Sequence, residues 1–260
     1  MALLHAEYFS EALHGWSVTV DVILPEEELP AFGYRTLWLL HGKSDDETVW
    51  QRMTSIERYA AAHHIAVVMP AVQISCYSDM SHGFPYYTFV SDELPRVMRE
   101  MFPLSARRED NYIAGLSMGG EGAMKIGLSK PENYAAIGCL SAGAFNHPWS
   151  ETFNEQENNV AFLCHDGKTL SGLPEDCFEN AKKILAQGKP IPRIYHAIGS
   201  NDFLLESAKE TRDFFESLEG NPFGYVYEEN PGAHTWEFWD THITHYLDFI
   251  DGNWKKDHNL

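Results

Sequence analysis

The chain has 260 residues, 44% of them hydrophobic and 22% charged, ordinary globular usage that excludes disorder as the main theme and suffices for a sizeable core without staples. Lys and Arg number 19 against 38 Asp and Glu, a formal charge of −19. That excess keeps a protein soluble and disfavours nucleic acid, anionic membranes and polyanionic substrates, whose phosphates and carboxylates need clustered cations.

The longest apolar run, residues 65–72, contains Pro70 and is far too short to span a membrane. Met1 to Glu7 offers neither a basic start nor a long apolar segment, so no signal peptide is expected. Cys76, Cys139, Cys164 and Cys177 form no C-x-x-C pair. Reduced thiols in a cytoplasmic protein are the expectation.

Trp16–Leu24 alternates at period two and stops at Pro25, as a half-buried strand does. Residues 36–40 form a compact apolar run ending in His41-Gly42, and 65–69 a second one stopped by Pro70. Between them Trp50, Met53, Ile56 and Ala60 keep a weak helical spacing. Val90, Leu94, Val97, Met98 and Met101 make a clean helical stripe. Further runs fill residues 111–115, 134–140, 194–198 and 223–227. A second stripe, Leu205, Ala208, Phe215 and Leu218, is interrupted only by Arg212. Short continuous apolar runs suit a mainly parallel sheet covered on both faces. Residues 143–176 break the rhythm and read as a lid-like insertion carrying a short helix of its own. Residues 1–260 together read as a single α/β domain.

Gly115-Leu116-Ser117-Met118-Gly119 is G-x-S-x-G, entered from an apolar run and left by a helix-compatible stretch. A nucleophilic serine needs this layout. It sits on a tight turn, glycines at both flanks let strand and helix approach, and the helix N-terminus points free N–H groups at a developing oxyanion. Such a serine also needs a base and an orienting acid, which follow in the order Ser, Asp or Glu, His on later loops. The run at 194–198 delivers Asp202 through Gly199-Ser200-Asn201, and the run at 223–227 leads to His234 on a Pro-Gly turn before an aromatic helix. His196 lies inside a strand, His242 and His245 read as helix-surface positions, and His63 and His64 close a helix. Asp166 and Asp176 sit in the insertion with no strand to deliver them. The catalytic set is therefore Ser117, Asp202 and His234. The oxyanion donors are the N–H groups of Met118 and of Lys43, which follows His41-Gly42. With no H-E-x-x-H and no Cys/His cluster at ligand spacing, no metal is expected.

Leu39-Leu40-His41-Gly42, Phe84-Pro85-Tyr86-Tyr87 with Glu93-Leu94-Pro95, Ala114 to Gly120, Asp202-Phe203-Leu204 and Ala233-His234-Thr235-Trp236 occur in that order along the chain. Together they resemble the esterase D family of α/β-hydrolases, and within it the bacterial tributyrin esterases. The resemblance covers nearly the whole chain, from Glu7 to the last helix. It implies an α/β-hydrolase fold and cofactor-free hydrolysis of short acyl esters by the same three residues. It leaves room for a homo-oligomer. It also spans S-formylglutathione hydrolases, feruloyl and acetylxylan esterases and acyltransferases, so it does not fix the substrate. Two departures, Lys43-Ser44-Asp45-Asp46-Glu47 after His-Gly and Glu121 after Met-Gly-Gly, are placed at the pocket mouth.

Trp50, Phe145, Trp149 and Trp236 are the aromatic candidates for pocket walls, with Phe84, Tyr86 and Tyr87 behind them. Phe145 and Trp149 would hang over Ser117 as part of the lid. A non-catalytic binding protein on this scaffold is the reading from a different class, and an inert Ser117 would favour it. The expected partner is a small-molecule ester.

Overall fold

The computed structural model describes residues 1–144, 155–168, 173 and 175–254. Eight strands are β1 (Ala2–Ser10), β2 (Trp16–Leu24), β3 (Arg35–Leu40), β4 (Ile65–Pro70), β5 (Asn111–Leu116), β6 (Ala136–Leu140), β7 (Arg193–Gly199) and β8 (Val226–Asn230). They form one sheet in the order β1-β2-β4-β3-β5-β6-β7-β8. β3 to β8 run parallel, and β1 and β2 complete the sheet as antiparallel strands at one edge.

The described α-helices are α1 (Val49–Met53), α2 (Ile56–Ala62), α3 (Tyr86–Thr88), α4 (Leu94–Met101), α5 (Met118–Ser129), α6 (Glu155–His165), α7 (Cys177–Gln187), α8 (Leu205–Glu216) and α9 (Trp236–Asp251). Successive strand residues feed opposite layers. Trp38, Leu40, Ile113 and Ile137 pack with α4, α5, α7 and Phe215 of α8. Leu37, Leu39, Ala114 and Tyr195 pack with α1, α2 and α9. This explains why the central strands read as unbroken apolar runs: both faces are covered.

Some boundaries differ from the sequence expectation. β1 pairs along its full length with β2, from Ala2 opposite Leu24 to Ser10 opposite Trp16. Its alternation is masked because the outward positions include Leu3 and Phe9, 52% and 76% exposed. The weak stripe from Trp50 to Ala60 is two helices, broken where Thr54 turns extended. Phe223 and Tyr225 are apolar because they are buried against Phe215, and β8 starts only at Val226. The stripe ending at Met101 is interrupted by Pro95, which lacks an N–H, and a π turn at Phe89–Glu93 leads into α4. That turn carries the buried Glu93 carboxylate, which accepts from Ser10 Oγ, Glu11 N–H and Ala12 N–H at 2.8, 3.0 and 2.6 Å.

α6 falls inside residues 143–176. Its C-terminal end docks on the loop after β4: Ser81 and His82 N–H donate to Cys164 and Leu163 carbonyls at 3.0 and 2.9 Å. Phe145 and Trp149 lie outside the described residues. Among the described residues no helix is long and apolar enough to cross a membrane.

Candidate active site

β5 ends at Leu116 and α5 starts at Met118, leaving Ser117 alone at φ 52°, ψ −122°. A non-glycine residue held there costs roughly 1–3 kcal/mol and persists only when its surroundings over-determine it. They do. A Cβ on Gly115 would lie 2.4 Å from the Gly119 carbonyl group, and one on Gly119 would lie 2.5 Å from the Leu40 oxygen and 2.6 Å from the His41 oxygen. The Ser117 N–H donates to the Leu140 carbonyl of β6 at 2.8 Å. As the first residue of α5, Met118 has an N–H with no carbonyl one turn earlier in the helix to receive it.

The loop after β3 touches this elbow through His41 and is itself locked. His41 is 1% exposed, and burial lowers its pKa, so the ring is held neutral. Its Nε2 accepts from Val72 N–H at 3.0 Å, so Nδ1 carries the proton and donates to the Gly42 carbonyl at 2.8 Å. Tyr77 Oη donates to the His41 carbonyl at 3.0 Å. A buried histidine, visible in the sequence only as part of the His41-Gly42 turn, thus fixes Gly42, whose α-carbon packs against Leu116 at the entry to the elbow.

Glu121, expected at the pocket mouth, is 1% exposed. It lies in the core instead, paired with the fully buried Lys125 at 2.9 Å. Lys125 Nζ also donates to the Cys76 carbonyl and Ser78 Oγ at 3.0 and 3.2 Å, fastening α5 to the loop after β4. Burial alone would lower the lysine pKa, but Glu121 foremost, with Cys76 and Glu175, together outweigh it and raise it.

β7 and β8 deliver the other two residues side by side. Ser200 and Asn201 N–H donate to the carbonyls of Asn230 and Gly232, both at 2.8 Å, joining the two loops through backbone. Asp202 is buried, and its Oδ1 accepts from Leu204 N–H at 2.9 Å. His234 Nδ1 lies 3.0 Å from both Asp202 oxygens, and His234 Nε2 lies 2.9 Å from Ser117 Oγ. An ionised carboxylate only accepts, so Nδ1 carries the proton, Nε2 is the acceptor and the Ser117 hydroxyl donates to it. The imidazole sits between Phe203, 4.5 Å away and 66% exposed, and the edge of the buried Trp239, 4.9 Å away.

The three residues selected from the sequence therefore meet in one hydrogen-bonded line. Other candidates do not join it. His196 is a core residue, bonded to Tyr225 Oη and the Ala142 carbonyl at 2.7 and 2.8 Å. His242 and His245 are not surface positions: they are 1% and 7% exposed and face Glu228. His63 follows α2 and pairs with Asp251, His64 pairs with Glu27, Asp166 pairs with His82 and Lys168, and Asp176 caps α7. Trp50 has no accessible surface and donates to the Leu40 carbonyl at 3.1 Å, so it is core and not a pocket wall. Trp236, half-buried, packs edge-on against both Trp50 and Trp239 at 5.4 and 5.1 Å.

Residues 10–250 match the family described as putative esterase. The chain is 29% identical to an acetyl esterase of Caldicellulosiruptor saccharolyticus over 96% of its own length and 98% of that protein. It is similar to two solved structures from Staphylococcus aureus, each over 96% of this chain and 98% of the other. The fluorophosphonate-binding serine hydrolase FphF is 32% identical with TM-score 0.85. An S-formylglutathione hydrolase is 33% identical with TM-score 0.82. With an esterase profile over almost its whole length and serine hydrolases sharing its architecture, the chain belongs to the putative esterase family and is a serine esterase of the α/β-hydrolase fold.

Proposed function

We propose that this esterase hydrolyses short acyl esters, acetyl to butyryl, with Ser117 as nucleophile, His234 as general base and acid, and Asp202 as the group that orients it. The unbroken line from Ser117 Oγ through the imidazole to the buried carboxylate carries this reading. His234 Nε2 takes the Ser117 proton as Oγ attacks the ester carbonyl, and Asp202 stabilises the imidazolium that forms. The Met118 and Lys43 N–H groups receive the oxyanion, each donor contributing roughly 3–4 kcal/mol. His234 then protonates the leaving alcohol. Water repeats the cycle on the acyl-enzyme and releases the acid. No step calls for a metal or cofactor.

The short-acyl preference rests on the resemblance to tributyrin esterases and on the acetyl esterase relative. A second reading, hydrolysis of S-formylglutathione, is favoured by the relative of that name and disfavoured by the formal charge of −19 facing an anionic thioester. The four buried free thiols are consistent with a reducing, cytoplasmic setting.

Hydrolysis of p-nitrophenyl acetate, butyrate and octanoate by wild type and Ser117→Ala tests the proposal, with S-formylglutathione as a parallel substrate. Turnover of acetate or butyrate that vanishes in the variant is expected. Activity retained by Ser117→Ala overturns the assignment of all three residues, and preference for the thioester promotes the second reading.

A further inference from the structure

On the α9 side of the sheet, four polar side-chain atoms converge without any part in the proposed reaction. Glu228 Oε2 of β8 lies 3.2 Å from His242 Nδ1 and 3.0 Å from His245 Nδ1, both on α9. Tyr195 Oη of β7 lies 2.8 Å from the same oxygen and 3.0 Å from His242 Nδ1. The ligand atoms of Glu228, His242 and His245 all fall within 4.8 Å of one another. Their side chains are shielded, at 12%, 1% and 9% exposure.

Three features of this cluster point to a cation. First, one carboxylate oxygen has two lone-pair directions, yet both imidazole nitrogens, the Tyr195 hydroxyl and, at 3.4 Å, the Asn230 amide crowd onto Oε2. The other oxygen is already occupied by Trp254 Nε1–H at 2.7 Å. Second, tetrahedral zinc with bonds of about 2.0–2.1 Å separates its ligand atoms by about 3.3–3.4 Å, close to the 3.0 and 3.2 Å spacings around Oε2. Third, a cavity of about 210 Å³, lined by Pro231, Gly232, Glu237, Phe238 and His242 among others, gives a route of entry beside the cluster. The spacing was invisible in the sequence, because one ligand comes from a strand and two from the helix that follows it.

We propose that Glu228, His242 and His245, with Tyr195 Oη as fourth neighbour, form a structural site for one zinc-class divalent cation. Its ligands come from β8 and α9, the elements that enter and leave the loop bearing His234, with β7 behind them. An ion there clamps both ends of that loop and stabilises the folded chain by binding it in preference to the unfolded one.

Chelator-stripped full-length protein, titrated with Co²⁺ and then Zn²⁺, tests the site. One Co²⁺ per chain with the intense visible absorption of tetrahedral coordination is expected, displaced by Zn²⁺, together with a melting temperature raised by Zn²⁺ and lowered by chelator. Glu228→Gln and His245→Asn, which keep hydrogen-bonding capacity, should each weaken binding by at least about tenfold. His64→Ala, at an exposed His–Glu pair, should leave it unchanged. Anomalous scattering at the zinc edge from wild-type crystals locates the ion with no variant at all. Absence of the tetrahedral spectrum, binding that survives both ligand substitutions, or an anomalous peak at another histidine would each overturn the proposal.

Discussion

The β5–α5 elbow and the β8–α9 turn hold the two ends of one hydrogen bond, and they are built differently. Ser117 is fixed by backbone: Gly115, Gly119 and the carbonyls of Leu40, His41 and Leu140 leave its strained turn no alternative. His234 is fixed by side chains: Asp202 below, Phe203 and Trp239 around the ring. A nucleophile must stay still, whereas a base that passes a proton between two oxygens needs orientation with some freedom to rotate. The elbow should therefore tolerate almost no change in its packing, and the imidazole's surroundings should degrade gradually.

The largest effect tests the hydrogen-bonded contact that orients the histidine. Asp202→Asn turns an acceptor-only partner into one that can donate, favours the wrong tautomer of His234, and should lower kcat on the order of 10⁴-fold with KM little changed. A loss of only a few-fold in steady-state kinetics would mean that the imidazole is oriented by other groups.

Beneath the elbow, Lys125→Met strands the Glu121 carboxylate in the core and should cost about 3–5 kcal/mol in urea unfolding, while Glu121→Leu with Lys125→Met should recover most of it. Equal losses for the single and double variants would show that the ion pair itself, and not relief of a buried charge, secures α5. Gly119→Ala, forced against two backbone oxygens, should destabilise by about 3 kcal/mol and remove activity together with fold.

The acid limb of stability separates core from site. Burial holds His196 down to about 4; unfolded, it takes a proton near the ordinary ~6.5. The unfolded chain thus binds the extra proton, and stability is lost as pH falls from ~6.5 toward about 4, at up to ~1.4 kcal/mol per pH unit. His196→Gln should flatten that part of the melting-temperature profile; an unchanged slope would assign it to other groups.

The smallest effect sharpens the contrast most. Phe203→Ala removes the exposed ring over the imidazole and should lower kcat/KM by about tenfold at most, since an aromatic contact contributes roughly 0.5–1.5 kcal/mol. A collapse as complete as that of Gly119→Ala would erase the distinction between the two regions.

The sequence by itself determined the alternation of strands and helices, the elbow and the order Ser117, Asp202, His234, because these are local: glycines flanking a serine, and polar loops at the ends of apolar runs. It does not distinguish apolar residues that make a strand from those that merely fill a core, so the apolar run at 223–227 begins before β8, which starts at Val226. Nor could it separate a pocket wall from a buried neighbour, as Trp50 shows. Tertiary structure alone decided what lies between elements distant in sequence. It placed Glu121 against Lys125 inside the protein, locked His41 behind the Lys43 loop, and turned His242 and His245 inward onto Glu228. A side chain's spacing in the chain states which face of its own element it occupies. What that face meets is set by how the sheet twists and how the helices pack across it.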